Sequence, residues 1–256
     1  MAYRSTLLVS AFLIAAPGSA AAYDLATSAA GDPLHWPAGR VTFTLAVEPG
    51  PTELDPDATV RAITAAVATW QAALADSPIT LAISETPGSA APRMNDGVLT
   101  IRWAFDRDDP DLESGLLGQT FLSYRSADAQ LVDADIVLNA DEFRWTTDPT
   151  SCADEYDVES AVVHEIGHAL GLAHSIGHPE ATMFRTGDAC DIAKRDLAAD
   201  DTAGLDELYA TPPASEPGGG CVSTSPGSGA GALLLAAWLR RRMRSRRRTP
   251  HANDVS

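Results

Sequence analysis

The sequence predicts an α+β domain, and three observations carry the prediction. A β-rich alternating stretch, Arg40 to Val47, opens the body of the chain. A long amphipathic helix follows over Asp57 to Ala75, and further β-like stretches come after it. The later part of the chain then holds a second helix on which His164 and His168 stand four residues apart, one above the other on the same face.

The elements read in order as follows. In the long helix, Val60, Ile63, Val67, Trp70 and Leu74 recur at three- and four-residue steps, an apolar stripe that needs a core; Trp70 reads as part of that core. Pro56 and the pair Ser77-Pro78 bound the helix. Ile79 to Ile83 and Val98 to Ala104 read as two more strands, and Ala134 to Asn139 as a later one. Between them, Asp106 to Glu113 is an acidic loop; a solvated loop is its default reading and calcium binding the sharper alternative. Asp157-Val158-Glu159-Ser160 opens the histidine-bearing helix, with acids near its positive end.

The chemistry concentrates in eleven residues, His164-Glu165-Ile166-Gly167-His168-Ala169-Leu170-Gly171-Leu172-Ala173-His174. Two imidazoles one helical turn apart can reach one metal ion, and Glu165 beside them can take a proton from a water at that metal. Gly171 permits the left-handed turn that ends the helix, so that His174 approaches from another direction. Three neutral imidazoles leave a fourth tetrahedral position for water, the mark of a catalytic zinc site rather than a closed structural one. Val162, Val163, Ile166, Ala169 and Leu170 surround the ligands with the apolar residues of a buried helix.

H-E-x-x-H-x-x-G-x-x-H followed by a methionine turn resembles the metzincin signature, and Ser175 directly after the third histidine is similar to the matrixin branch, the family of matrix metalloproteinases and their bacterial relatives. The resemblance spans Arg40 to Tyr209. It implies a metzincin-type domain with a mixed, twisted sheet of about five strands and three helices, and a zinc endopeptidase in which His164, His168 and His174 hold the metal and Glu165 is the general base. Met183, nine residues after His174, resembles the methionine that forms an apolar floor under the ligands. Gly115 to Phe121 resembles the edge strand over the matrixin cleft; a protein or peptide substrate would pair with it as an extended strand, with Leu117 and Gly118 as backbone contacts. Asp196 to Tyr209 resembles the closing helix, with Asp200 and Asp201 as caps and Leu205, Leu208 and Tyr209 packing inward.

The sequence departs from the family in three places. A family structural-zinc histidine is matched by Gln119, and the chain's other histidines are His35, His178 and His251, so no structural zinc is expected. Calcium at Asp141 or Glu142 stays open. About 17 residues separate Ala22 from the first strand, too few for a matrixin prodomain. Phe184-Arg185-Thr186-Gly187 lacks the Pro-x-Tyr wall that follows the Met-turn in matrix metalloproteinases, so the family's subsite preference does not transfer.

Both ends of the 256-residue chain read as addresses. Arg4, an apolar run from Thr6 to Ala16 and Ala20-x-Ala22 make a secretory signal cut after Ala22; the run is too short for the other reading, a membrane span. The expected order is a signal peptide (1–22), a short N-terminal segment (23–39), the catalytic domain (40–210), a Pro/Gly/Ser-rich linker (211–229) and a tail (230–256). The tail joins a short apolar run to seven arginines between Arg240 and Arg248, and with Cys221 before it resembles the tripartite sorting tails of myxobacterial surface proteins. By that resemblance Cys221 is a processing or lipid-attachment point; the alternative is a disordered basic tail that binds anionic lipid. Membrane contact is expected through this tail alone, and the body is expected to be a monomer.

Between Tyr23 and Gly220 stand 34 acidic and 10 basic residues, a net of −24, which repels nucleic acid and excludes a DNA- or RNA-binding role. In an exported protein Cys152 and Cys190 are candidates for a disulfide between the entry of the histidine-bearing helix and the loop beyond the Met-turn, although the sequence leaves the pairing open. The functional rival to the peptidase is a surface binding or structural protein that keeps the scaffold without cutting. Glu165 and all three histidines are present, so nothing in the sequence favours it.

Overall fold

Five strands make one mixed sheet: β1 (Gly39–Ala46), β2 (Ile79–Gly88), β3 (Thr100–Ala104), β4 (Gly118–Arg125) and β5 (Gln130–Asn139), in the spatial order β2-β1-β3-β5-β4. Among the described residues three α-helices accompany it, α1 (Pro56–Ala73), α2 (Val158–Ala169) and α3 (Ala199–Tyr209), giving the expected α+β fold. The computed structural model describes residues 23–46, 50–88, 95–106, 109 and 112–210. The expected signal peptide, the linker and tail with Cys221, and residues 107, 108, 110 and 111 of the acidic loop lie outside the described residues.

The first four strands in the sheet order run parallel; β4 alone runs antiparallel, joined to β5 by a short hairpin. Among the described residues β4 has a neighbour on one side only, so its outer edge is open. The strand starts three residues later than the sequence suggested: Glu113 to Gly115 turn instead, with Gly115 at φ 86°, and the Glu142 carboxylate accepts from the Gly115 N–H (2.6 Å) and the Ser114 hydroxyl (2.7 Å). The later strand is correspondingly longer, because Gln130 to Asp133 pair across the hairpin. A second sheet of two short strands, β6 (Trp145–Thr146) and β7 (Tyr156–Asp157), leads into α2; strands of two residues leave no periodicity in a sequence.

Helices α1 and α2 begin at aspartate N-caps and α3 does not. Pro56 is the first residue of α1 rather than a boundary outside it, with Asp55 as the N-cap accepting from the Ala58 N–H at 2.7 Å. Asp157 caps α2 by accepting from the Ser160 N–H (2.8 Å). α3 starts at Ala199, where Asp201 accepts from the Ala198 N–H at 2.8 Å; Asp200 does not cap it and instead accepts the Ser175 hydroxyl.

α2 is the axis of the core. Val158, Val162, Val163, Ile166, Ala169 and Leu170 are fully buried, packed with Trp70 of α1, Phe43 of β1, and Ile136 and Leu138 of β5. Trp70 donates its indole N–H to the Val163 carbonyl (2.7 Å), which fixes α1 on α2. The segment 23–39 packs on the domain rather than trailing from it: Trp36 donates to the Ala169 carbonyl (2.8 Å) and Ala26 to the Gly171 carbonyl (2.9 Å). Tyr209 of α3 donates to the Leu170 carbonyl at 2.6 Å, so carbonyls that the end of α2 would leave unpaired have partners.

Candidate metal centre

The centre grows from the way α2 ends. Leu172 N–H bonds the Gly167 carbonyl (3.0 Å) and Gly171 N–H the His168 carbonyl (2.9 Å), the paired bonds of a Schellman stop. Gly171 takes φ 97°, and a side chain there would also strike the Leu34 carbonyl. The chain therefore reverses and brings His174 back beside the helix. The candidate ligand atoms of His164, His168 and His174 all lie within 4.8 Å of one another, and the Nε2 atoms of His168 and His174 are 3.2 Å apart.

These donors fit zinc. Tetrahedral nitrogens about 2.0–2.1 Å from one ion stand about 3.3 Å from each other. Backbone carbonyls hold the other ring nitrogens: Thr182 O lies 2.6 Å from Nδ1 of His164, and Leu172 O lies 2.9 Å from Nδ1 of His168. A carbonyl can only accept, so Nδ1 carries the proton in both rings and Nε2 is left with its lone pair for a metal. Protonation does not compete near neutral pH. Desolvation holds His164 well below the usual histidine range and lowers His168; it brings His174 to about 4, with the neighbouring His168 adding to the effect.

Glu165 is buried beside the triad, and burial pushes its carboxyl up to about 7, against the opposing pull of the Thr120 hydrogen bond and the charge of Lys194. The Thr120 hydroxyl donates to Oε2 of Glu165 at 2.6 Å. Of the two residues expected to meet a substrate backbone, Leu117 gives its carbonyl to the Asn139 N–H (2.9 Å), inside the sheet. Gly118, the next residue along, turns its backbone groups to the opposite, open edge. Gln119 faces away from the centre, its side-chain oxygen accepting from the Glu113 N–H (3.2 Å).

Met183 is buried beneath α2, against the bare backbone of Gly167, where an added Cβ would overlap its sulfur. Three residues that sequence reasoning did not assign to the site hold this turn or its neighbours. Asp201, 1 % exposed, accepts from the N–H groups of Thr182 (2.8 Å) and Met183 (2.9 Å). Lys194 donates to the carbonyls of Thr182 (2.9 Å) and Phe184, on either side of the methionine, and desolvation lowers its ammonium to about 8. Thr120 is the third. The pair of aspartates opening the last helix was a signal for Asp201, but it read equally well as a cap.

Cys152 and Cys190 form a disulfide across 38 residues. Close by, Arg195 pairs with the N-cap Asp157 (2.5 Å) and with Glu159 (3.0 Å), so the loop beyond the Met-turn is fastened to the start of α2 twice.

A mixed sheet with one antiparallel edge, a helix bearing two of three convergent histidines, and a buried methionine turn define a matrixin-type catalytic domain. The chain belongs to the matrixin family, whose model matches residues 35–210. It is similar to metalloendoproteinase 1 of Glycine max, 31% identical over 193 residues, which cover 70% of this chain and 54% of that protein. It is also similar to stromelysin-1 of Mus musculus, 35% identical over 97 residues (38% of this chain, 19% of that protein), and to metalloendoproteinase 5-MMP of Arabidopsis thaliana, 46% identical over 63 residues (25% and 17%). The chain thus spans about half, or less, of the length of these relatives.

Proposed function

We propose that this protein is an exported zinc-dependent endopeptidase that takes its substrate as an extended strand along the open edge of β4. The observation that carries the reading is the convergence of three ring nitrogens beside a buried carboxylate. A zinc ion at the triad would supply a Lewis acid for water and for the scissile carbonyl. His164, His168 and His174 would hold it, and the carbonyls of Thr182 and Leu172 orient two of the rings. Gly118 offers its outward N–H and C=O to the peptide backbone, placing the scissile bond across the triad. Glu165 takes the proton of the attacking water on its carboxylate and returns it to the leaving amine. Burial beside the triad strengthens the carboxyl's hold on that proton, which suits it to accept from the water.

Met183 and Gly167 set the floor, and Asp201 and Lys194 keep the carbonyl of Thr182 where His164 needs it. Export rests on the N-terminal signal reading; among the described residues no helix is long and apolar enough to cross a membrane. The test is hydrolysis of a mixed peptide library by the purified protein beside its Glu165→Ala variant. Expected is cleavage that falls at least about 10³-fold in the variant while bound zinc is retained. Equal turnover in both would overturn the assignment of Glu165.

A further inference from the structure

We propose that Thr120 is a positioning residue for the base: its hydroxyl fixes Oε2 of Glu165 so that the carboxylate is held ready beside the metal triad. The proposal rests on the endopeptidase reading and goes beyond it by assigning a role to the edge strand itself.

A threonine hydroxyl has one proton to give. It has two acceptors in reach, Oε2 of Glu165 at 2.6 Å and the Glu165 carbonyl at 3.1 Å. The carbonyl lies inside α2, where it already has a helical donor four residues on. The carboxylate oxygen is both closer and the stronger acceptor, because a charge-assisted bond is worth about twice a neutral one. The proton therefore goes to Oε2.

The second contact comes from two residues earlier on the same strand. Side chains alternate across a strand, so position 118 shares Thr120's face and lies over α2. A Cβ at Gly118 would stand 2.8 Å from Oε1 of Glu165 and 3.1 Å from its Cγ and Cδ. Position 118 must therefore stay bare for the carboxylate to lie where it does. Position 120 then anchors one of its oxygens and leaves the other for the transferred proton. β4 thus sets two things in one register: the outward backbone of Gly118 for the peptide, and the inward face of 118 and 120 for the base. A substrate paired with the strand is aligned with the carboxylate by the same few atoms.

The test compares Thr120→Val, which keeps the shape and removes the proton, with Thr120→Ser, which restores the proton, in the full zinc-loaded chain. Expected for Thr120→Val is a fall in kcat of about 10- to 100-fold, the size seen when a positioning group is removed, with KM within about twofold. Zinc content should be unchanged, and Thr120→Ser should regain kcat to within about threefold. Equal kcat in wild type and Thr120→Val overturns the proposal. So does Thr120→Ser failing as Thr120→Val does, which would mean that only the methyl's packing matters. Should Thr120→Val not fold, Thr120→Ala against Thr120→Ser makes the same comparison. An independent readout is the ¹³C shift of the Glu165 carboxylate, which should move in Thr120→Val and return in Thr120→Ser; an unmoved shift overturns the proposal even in a protein that cuts nothing. Wild-type cleavage that survives Glu165→Ala would instead sink the parent reading.

Discussion

At the scale of single residues the turn beneath the centre depends on side chains that are not ligands. Asp201 is the clearest case, a buried side chain whose two oxygens take three backbone N–H groups, those of Thr182, Met183 and Ala198. Asp201→Ala should cost about 3 kcal/mol or more, since each buried donor left unpaired costs about 1–3 kcal/mol, and denaturant unfolding would register it. Zinc affinity should fall with it, because Thr182 orients His164. Asp135 behaves in the opposite sense. Desolvation, helped by the neighbouring charge of Asp133, raises its carboxyl from 3.8 to about 6. The folded state binds that proton more tightly than the unfolded chain, so the contribution to stability is fully present below about pH 4 and is lost as pH rises through about 6. Asp135→Asn can still accept from the Thr100 N–H and should melt higher than wild type at pH 7, the difference closing by pH 4. Melting midpoints across that range check the sign. The ligand histidines were legible because a motif fixes their spacing. Thr120 and Asp201 were not, since each acts on a partner 45 or 18–19 residues distant, brought near only by the sheet and the final helix.

At the scale of elements, α2 and its stop carry the site. Gly167 lets Met183 and Trp70 close on the helix from one side, and an added Cβ would stand 2.9 Å from the Trp70 ring and overlap the methionine sulfur. Gly167→Ala should therefore destabilise by about 1–3 kcal/mol through overpacking, measurable by denaturant unfolding. The disulfide should contribute about 4 kcal/mol by closing a 38-residue loop in the unfolded chain, and replacing Cys152 and Cys190 by alanine should lower the melting midpoint accordingly. Long periodic stretches such as α1 and β1 could be read from the sequence to within two residues, because burial of a stripe or a face leaves a period. The start of β4 could not. Its Gly115 turn is set by Glu142, 27 residues on, and local sequence shows only another apolar, glycine-rich stretch.

For the whole molecule the order of strands was the least legible feature. β1 lies between β2 and β3 and β5 between β3 and β4, an arrangement set by long-range pairing rather than by local pattern. Among the described residues that arrangement leaves the outer edge of β4 open and packs the strand against α2, which bears two of the three histidines. On the proposed function, peptides are hydrolysed only when the triad holds zinc. The most direct measurement is a titration of zinc into the metal-free protein while hydrolysis of a peptide library is followed. The rate should rise from zero and saturate at one zinc per chain, with no rise in His168→Ala. Hydrolysis without zinc, or one zinc bound per chain with no hydrolysis at all, would contradict it.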